Sequence, residues 1–152
     1  MTSVALRPAK RDEVPAIVAM LADDGLGRGR EAVSDPAIYY DAFDAMAGDP
    51  NNRLMVAGKD GSLVGTLQIT FIRGLSRKGA RRALVEAVRV ASRHRGKGIG
   101  RDIFLRAIEL ARERGCAIVQ LTTDKSRPDA LRFYESLGFV ASHEGMKLML
   151  DP

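Results

Sequence analysis

The stretch "VRVASRHRGKGIGRDIF", residues 88–104, constrains the fold more than any other part of the chain. An apolar, strand-like run ends at Val90. Gly96, Gly98 and Gly100 follow, set among Arg93, His94, Arg95, Lys97 and Arg101, and an amphipathic helix then begins. A helix N-terminus leaves its first backbone N–H groups without intrahelical partners and carries a partial positive charge. Glycines at that point let an anion approach the backbone closely. A strand, a cationic glycine loop and a helix in this order suit a phosphate or pyrophosphate. The competing reading is a glycine-rich turn whose Arg and Lys side chains are simply solvated.

Two well-known phosphate motifs do not fit. The dinucleotide fingerprint spaces its glycines G-x-G-x-x-G and wants an acidic residue at the end of the next strand. Here the spacing is G-x-G-x-G and the next strand ends in "QLTTDK". The P-loop string G-x-x-x-x-G-K-S/T does not occur.

The flanking sequence predicts a sheet packed with helices. "VALR" (4–7) reads as a strand. "RDEVPAIVAMLADDG" reads as a helix with Pro15 in its first turn. "DGLGRGRE" (24–31) reads as a glycine-rich loop, and "SDPAIYYDAFDAMAGDP" as a second helix capped by Ser34 with Pro36 in its first turn. "RLMVAGKDGSLVGTLQITFI" reads as a hairpin turning at Asp60-Gly61. After "RGLSRKGARR" (73–82) comes the strand "ALVEAVRV" (83–90). The helix from about Gly98 to Arg114 puts Ile99, Ile103, Ala107, Leu110 and Ala111 on one face, and Gly115 stops it. "CAIVQLTT" has the apolar character of a strand covered on both faces. "RPDALRFYESLG" is a helix ended by Gly138, and "FVAS" with "GMKLML" closes the sheet. The expected order is βααβββαβαββ in a single α/β (α+β) domain over residues 1–152, with about 6–7 strands and about 4 helices.

Composition narrows the partners. A chain of 152 residues has room for a real core, and a net charge of +5 favours anionic partners. Only 5% of residues are aromatic and none is Trp, which weakens a single-strand nucleic-acid reading. One Cys, Cys116, with two distant His gives no metal-ligand cluster. No signal-like or membrane-spanning apolar stretch is present, so a membrane partner is not expected. The few aromatics argue against a nucleic-acid partner, and the single Cys fits a reducing cytoplasm.

The glycine loop is similar to the acyl-CoA pyrophosphate loop of the GNAT N-acetyltransferase superfamily. The family's pattern is Arg or Gln, two residues, Gly, one residue, then Gly or Ala, here Arg95-x-x-Gly98-x-Gly100. A second stretch, "ALRFYESLGF" (130–139), resembles the family's last helix, A-x-x-x-Y-x-x-x-G-F. Both motifs stand in register across about 50 residues, and the element order resembles the family fold over nearly the whole chain.

The resemblance implies acetyl-CoA as cosubstrate, no metal, and acetyl transfer to an amine by direct attack. It implies that the backbone from Arg95 through Gly96, Lys97, Gly98, Ile99 and Gly100, with Arg101, holds the pyrophosphate. It implies that Val88 and Val90 pair their backbone with the pantetheine arm while Arg89 points to the opposite face. Tyr134 would protonate the leaving sulfur; alternatively it is a core Tyr bonded to a backbone carbonyl. Glu86 would be the base. In a regular strand it shares an apolar face with Leu84, Val88 and Val90, where burial would raise its pKa. A Glu86 paired with Arg81 or Arg82, or turned out by a bulge, stands equally. Where the family often has Asn, this chain has Arg127; Ser126 or the backbone would replace the Asn contact, or Arg127 would reach a phosphate.

The acceptor is the least legible part. Asp23, Asp24 and Glu31 in the 23–31 loop offer carboxylates for an amine, and Arg28 and Arg30 offer charge for an anionic group. His143 is an alternate base or an exposed turn residue. A small primary amine or amino-acid-like acceptor is expected. A protein N-terminus or lysine, or a non-catalytic acyl-CoA-binding regulatory role, are the alternatives. Homodimers are common in the family, and the sequence neither shows nor excludes one.

Overall fold

A computed structural model describes residues 4–151. The chain divides into two compact units, Met1–Gln120 and Leu121–Pro152. The first unit runs β1 (Ala5–Pro8), α1 (Val14–Ala22), α2 (Pro36–Ala47), β2 (Asn52–Lys59), β3 (Ser62–Ile72), a single turn α3 (Ser76–Gly79) that is left-handed at Arg77 and Lys78, β4 (Arg81–Val90), α4 (Ile99–Glu113) and β5 (Cys116–Gln120). Its sheet has the order β1-β2-β3-β4-β5. The first four strands pair antiparallel, and β4 pairs β5 in parallel. The result is the expected mixed sheet flanked by helices.

Local chemistry explains most boundaries. Asp60 and Gly61 have φ of 52° and 78°, the two positive values that a tight two-residue hairpin requires. A short 3-10 turn, Arg11–Glu13, leads into α1, with Pro15 in its first turn as expected. The α2 boundary differs from expectation. Asp35, not Ser34, is the capping position, and no side chain closes that end. Pro36 is the reason: it disfavours helical backbone in the residue before it, which sits at φ −120° and ψ 77°.

Helices cover both faces of this sheet. On one face, Ile17 and Met20 of α1 share a core cluster with Val56 and Ala91. On the other lie the buried residues of α4: Ile99, Ile103, Phe104, Ala107 and Ala111. The approach of α4 is close, since a Cβ on Gly65 would stand 2.5 Å from Ile103 Cδ1. The strand β5 is less covered than its apolar sequence suggests: Ala117 is exposed and its other residues are half-buried.

In the second unit, α5 (Pro128–Ser136) ends before Gly138 at φ 99°. Among the described residues, 139–151 contain no strand, which corrects the expected closing pair and brings the strand count to five. Val140, Met146 and Leu150 there are 80%, 92% and 84% exposed. An alternating apolar pattern supplies a strand with a face, but hydrogen-bonded pairing must come from a neighbour that the pattern does not specify.

Candidate functional site

The strand before the loop is irregular where it matters. Thr66 pairs with Arg89 and Gln68 with Glu86, so Leu67 alone faces both Ala87 and Val88. This is a β-bulge, and Ala87 carries it at φ 52°, a left-handed value uncommon for a residue with a Cβ. Thr66 and Gln68 are two apart on β3 and share a face, so their partners Arg89 and Glu86 share it too. Glu86 therefore leaves the face of Val88 and Val90 and is exposed. Of the readings of Glu86 that the sequence left open, the regular strand with a buried carboxylate gives way to the bulge that turns the side chain out. Its surroundings are polar instead: the neighbouring Gln68 donates to Asn52 Oδ1 at 2.9 Å, and Thr70 Oγ1 donates to the same oxygen at 3.4 Å.

The glycine loop has the geometry that its sequence implied. Gly96 and Gly98 have φ of 77° and 79°, and a Cβ on either would meet nothing within 4 Å. The space over the loop is open. Gly98 caps α4 without a side-chain bond, and the first bond of helical type runs from the Asp102 N–H to the Gly98 carbonyl at 3.2 Å. The amides of Ile99, Gly100 and Arg101 precede that bond and sit at the positive end of the helix. Lys97 and Arg101 are exposed beside them and Ile99 is buried, anchoring the turn. Burial, then the charges of Arg93 and Lys97, hold the pKa of His94 below its ordinary value.

The Arg95 side chain does not extend over the loop. Its Nε donates to the Val90 carbonyl at 3.2 Å and its Nη2 to the Asp23 carbonyl at 2.7 Å. Beside it, Arg89 Nε lies 2.9 Å from Asp24 Oδ2, with both side chains largely buried, at 13% and 16% exposure. The other Asp24 oxygen accepts the Gly27 N–H. Glu31 accepts from the Tyr39 hydroxyl at 2.9 Å. The carboxylates offered for an acceptor amine are thus engaged in holding their own loop: Asp24 and Glu31 directly, Asp23 at 3.8 Å from Arg95. Arg28 and Arg30 are exposed. Sequence reasoning missed the Arg89–Asp24 pair. The available signal was strand parity, which turns Arg89 away from Val88 and Val90 toward whatever covers that face.

In the second unit, the Tyr134 ring is half-buried between Phe133 and Phe139, in edge-on contacts at 5.4 and 6.0 Å between centroids. Ser126 closes a small turn on Asp124, whose Oδ1 accepts both its N–H and its hydroxyl. Arg127 is exposed at the capping position of α5. His143 is exposed, its Nδ1 at 2.6 Å from Ser142 Oγ. Among the described residues, no group of three or more His, Cys, Asp or Glu side chains could hold a metal ion, and no helix is long and apolar enough to cross a membrane.

These features coincide with a known family. Residues 18–139 match the model of the acetyltransferase (GNAT) family, and the chain belongs to it. A crystal structure described as a transcriptional regulator from Bacillus halodurans is 50% identical, with a TM-score of 0.93 over 97% of this chain and 100% of that one. Streptothricin acetyltransferase of Streptomyces lavendulae is 32% identical over 136 residues, 89% of this chain but 62% of that enzyme's length. Aminoalkylphosphonate N-acetyltransferase of Salmonella typhimurium is 32% identical over 109 residues, 72% of this chain and 70% of the enzyme.

Proposed function

We propose that this chain is a cytoplasmic, acetyl-CoA-dependent N-acetyltransferase acting on the primary amine of a small or amino-acid-like molecule. The observation that carries the reading is the loop opening α4: two left-handed glycines, open space above them, and cationic side chains at a helix N-terminus. The backbone from Arg95 to Gly100 holds the pyrophosphate, with Lys97 and Arg101 adding charge. Val88 and Val90 pair with the pantetheine arm, and Ser126 and Arg127 contribute further cofactor contacts. Acetyl-CoA supplies an acyl group activated as a thioester.

The amine nitrogen attacks the acetyl carbon, the C–N bond forms, and the C–S bond breaks. Tyr134 gives its proton to the departing sulfur. Glu86 takes the ammonium proton directly or through water, a route that its exposure favours. The relatives support a small acceptor, since two of them are named for streptothricin and for an aminoalkylphosphonate.

One observation favours a second reading. The half-identical structure is described as a transcriptional regulator, which fits an acyl-CoA-binding module without catalysis. A thermal-shift titration with acetyl-CoA, CoA, NADH and ATP, followed by free-thiol release across a panel of amines, separates the two. Stabilisation by the CoA species with amine-dependent thiol release supports the enzyme. Stabilisation without release supports the regulator, and no shift with either CoA species removes the pyrophosphate loop. In the enzyme, Tyr134→Phe lowers thiol release on the order of 100-fold while CoA still raises the melting temperature.

A further inference from the structure

Arg89 lies on the proposed pantetheine strand and Arg95 just beyond its end, and each reaches one strand carbonyl and one of two neighbouring aspartates. Arg89 Nη1 donates to the Val88 carbonyl at 2.9 Å, while its Nε faces Asp24 at 2.9 Å. Arg95 Nε donates to the Val90 carbonyl at 3.2 Å, while its Nη2 donates to the Asp23 carbonyl at 2.7 Å. The carbonyls are those of the two residues that would pair with pantetheine. The aspartates are consecutive, at the C-terminal end of α1, where the 23–31 loop begins. That loop is tightly built, because Asp24 also accepts the Gly27 N–H and a Cβ on Gly27 would stand 1.8 Å from the Leu21 carbonyl oxygen.

We propose that Arg89 and Arg95 are positioning residues that make the 23–31 loop respond to acetyl-CoA: when pantetheine amides engage Val88 and Val90, the guanidinium groups shift their donors toward Asp23 and Asp24 and fasten the loop. This rests on the acyl-CoA reading above. A carbonyl oxygen has two lone pairs, so an incoming amide shares the oxygen with the arginine and weakens the arginine's bond to it. A guanidinium has five N–H donors in a rigid fork and can transfer that interaction to a carboxylate or carbonyl already in reach. The connection is one side chain long on each path, with no gap to bridge between cofactor strand and loop. By reciprocity, a molecule that orders the loop also tightens CoA.

Hydrogen exchange of the full chain, with and without saturating CoA, tests this. Arg95→Ala is the variant of choice, because Arg95 is 47% exposed and its loss leaves the core intact; Arg95→Lys keeps the charge and loses the fork. In the unchanged protein, CoA slows exchange in residues 95–101 and also in 23–31. In Arg95→Ala, residues 95–101 remain protected at saturation and the response of 23–31 falls several-fold, with Arg95→Lys in between. Equal protection of 23–31 in all three proteins overturns the proposal. So does a 23–31 segment that ignores CoA while 95–101 responds. If neither segment responds, the acyl-CoA reading itself fails and takes this one with it.

Discussion

Two loops in this chain have the same glycine spacing and opposite uses. Gly25-x-Gly27-x-Gly29 follows the C-terminal end of α1; Gly96-x-Gly98-x-Gly100 runs into the N-terminal end of α4, with Gly98 at the cap and Gly100 in the first turn. Both carry arginines. In the first, glycine is required by crowding: Gly27 is buried and a Cβ there would run into the Leu21 carbonyl oxygen. In the second, glycine is required by backbone angle, with φ of 77° and 79° and open space outside. Helix polarity separates them further. The end of α1 presents carbonyls and a partial negative charge, which draws arginines from β4 and the second loop; the start of α4 presents amides and a partial positive charge, which suits an anion. Spacing alone does not distinguish a ligand cradle from a packed corner.

The comparison breaks most sharply at Gly27. Gly27→Ala is expected to destabilise by about 3 kcal/mol, because backbone must move to admit the methyl group. Urea denaturation measures it, and a loss under about 0.5 kcal/mol, the scale of an ordinary surface change, would mean the corner is not crowded.

The anchoring of α1 at its other end comes next. The Arg7 side chain and the Lys10 N–H hold the Glu13 carboxylate, whose pKa falls from 4.5 to about 2, with the Arg7 hydrogen bond the largest cause. A depressed carboxylate contributes stability that is complete above 4.5 and is lost as pH falls toward 2. The full shift corresponds to about 3 kcal/mol. With Arg7 40% exposed and screened by solvent, about 1–2 kcal/mol is expected. Glu13→Gln should flatten that acidic limb of the stability curve, and an unchanged limb would assign it to other carboxylates.

Gly98→Ala is expected to cost about 1 kcal/mol through its left-handed φ alone. On the acyl-CoA reading it also weakens CoA binding at least about tenfold, because the methyl group occupies the space over the amides. Stability lost with CoA affinity unchanged would reduce the second loop to a turn. The smallest effects belong to Gly25→Ala and Gly29→Ala, which meet nothing within 4 Å and lack positive φ. Each should stay within about 0.5 kcal/mol of the unchanged protein.

Where the sequence was legible, the signal was local. Pro15, Gly98, Gly115 and the Asp60-Gly61 turn mark boundaries through their own backbone preferences, and the 3.6-residue spacing of Ile99, Ile103 and Ala107 predicted the buried face of α4. Where legibility failed, the deciding contact lay elsewhere in the chain. Glu86 changes faces because β3 offers one residue, Leu67, opposite two on β4. The sequence offers Asp24 as one of several carboxylates for an amine, whereas the fold pairs it with Arg89, 65 residues away in the sequence. "GMKLML" has the alternation of a strand but forms none among the described residues, and its apolar side chains are exposed.

The sequence by itself therefore determined the main strands and helices of the first unit, the family, and the loop at the head of α4, because glycine angles, helix polarity and apolar period are properties of short segments; the turn at Ser76–Gly79, read as part of a connection, was not among them. Tertiary structure decided which carboxylates remain available, where Glu86 points, and which strands find partners. Those outcomes depend on pairing register and ion-pair choice between distant segments, and many pairings are compatible with the same local pattern.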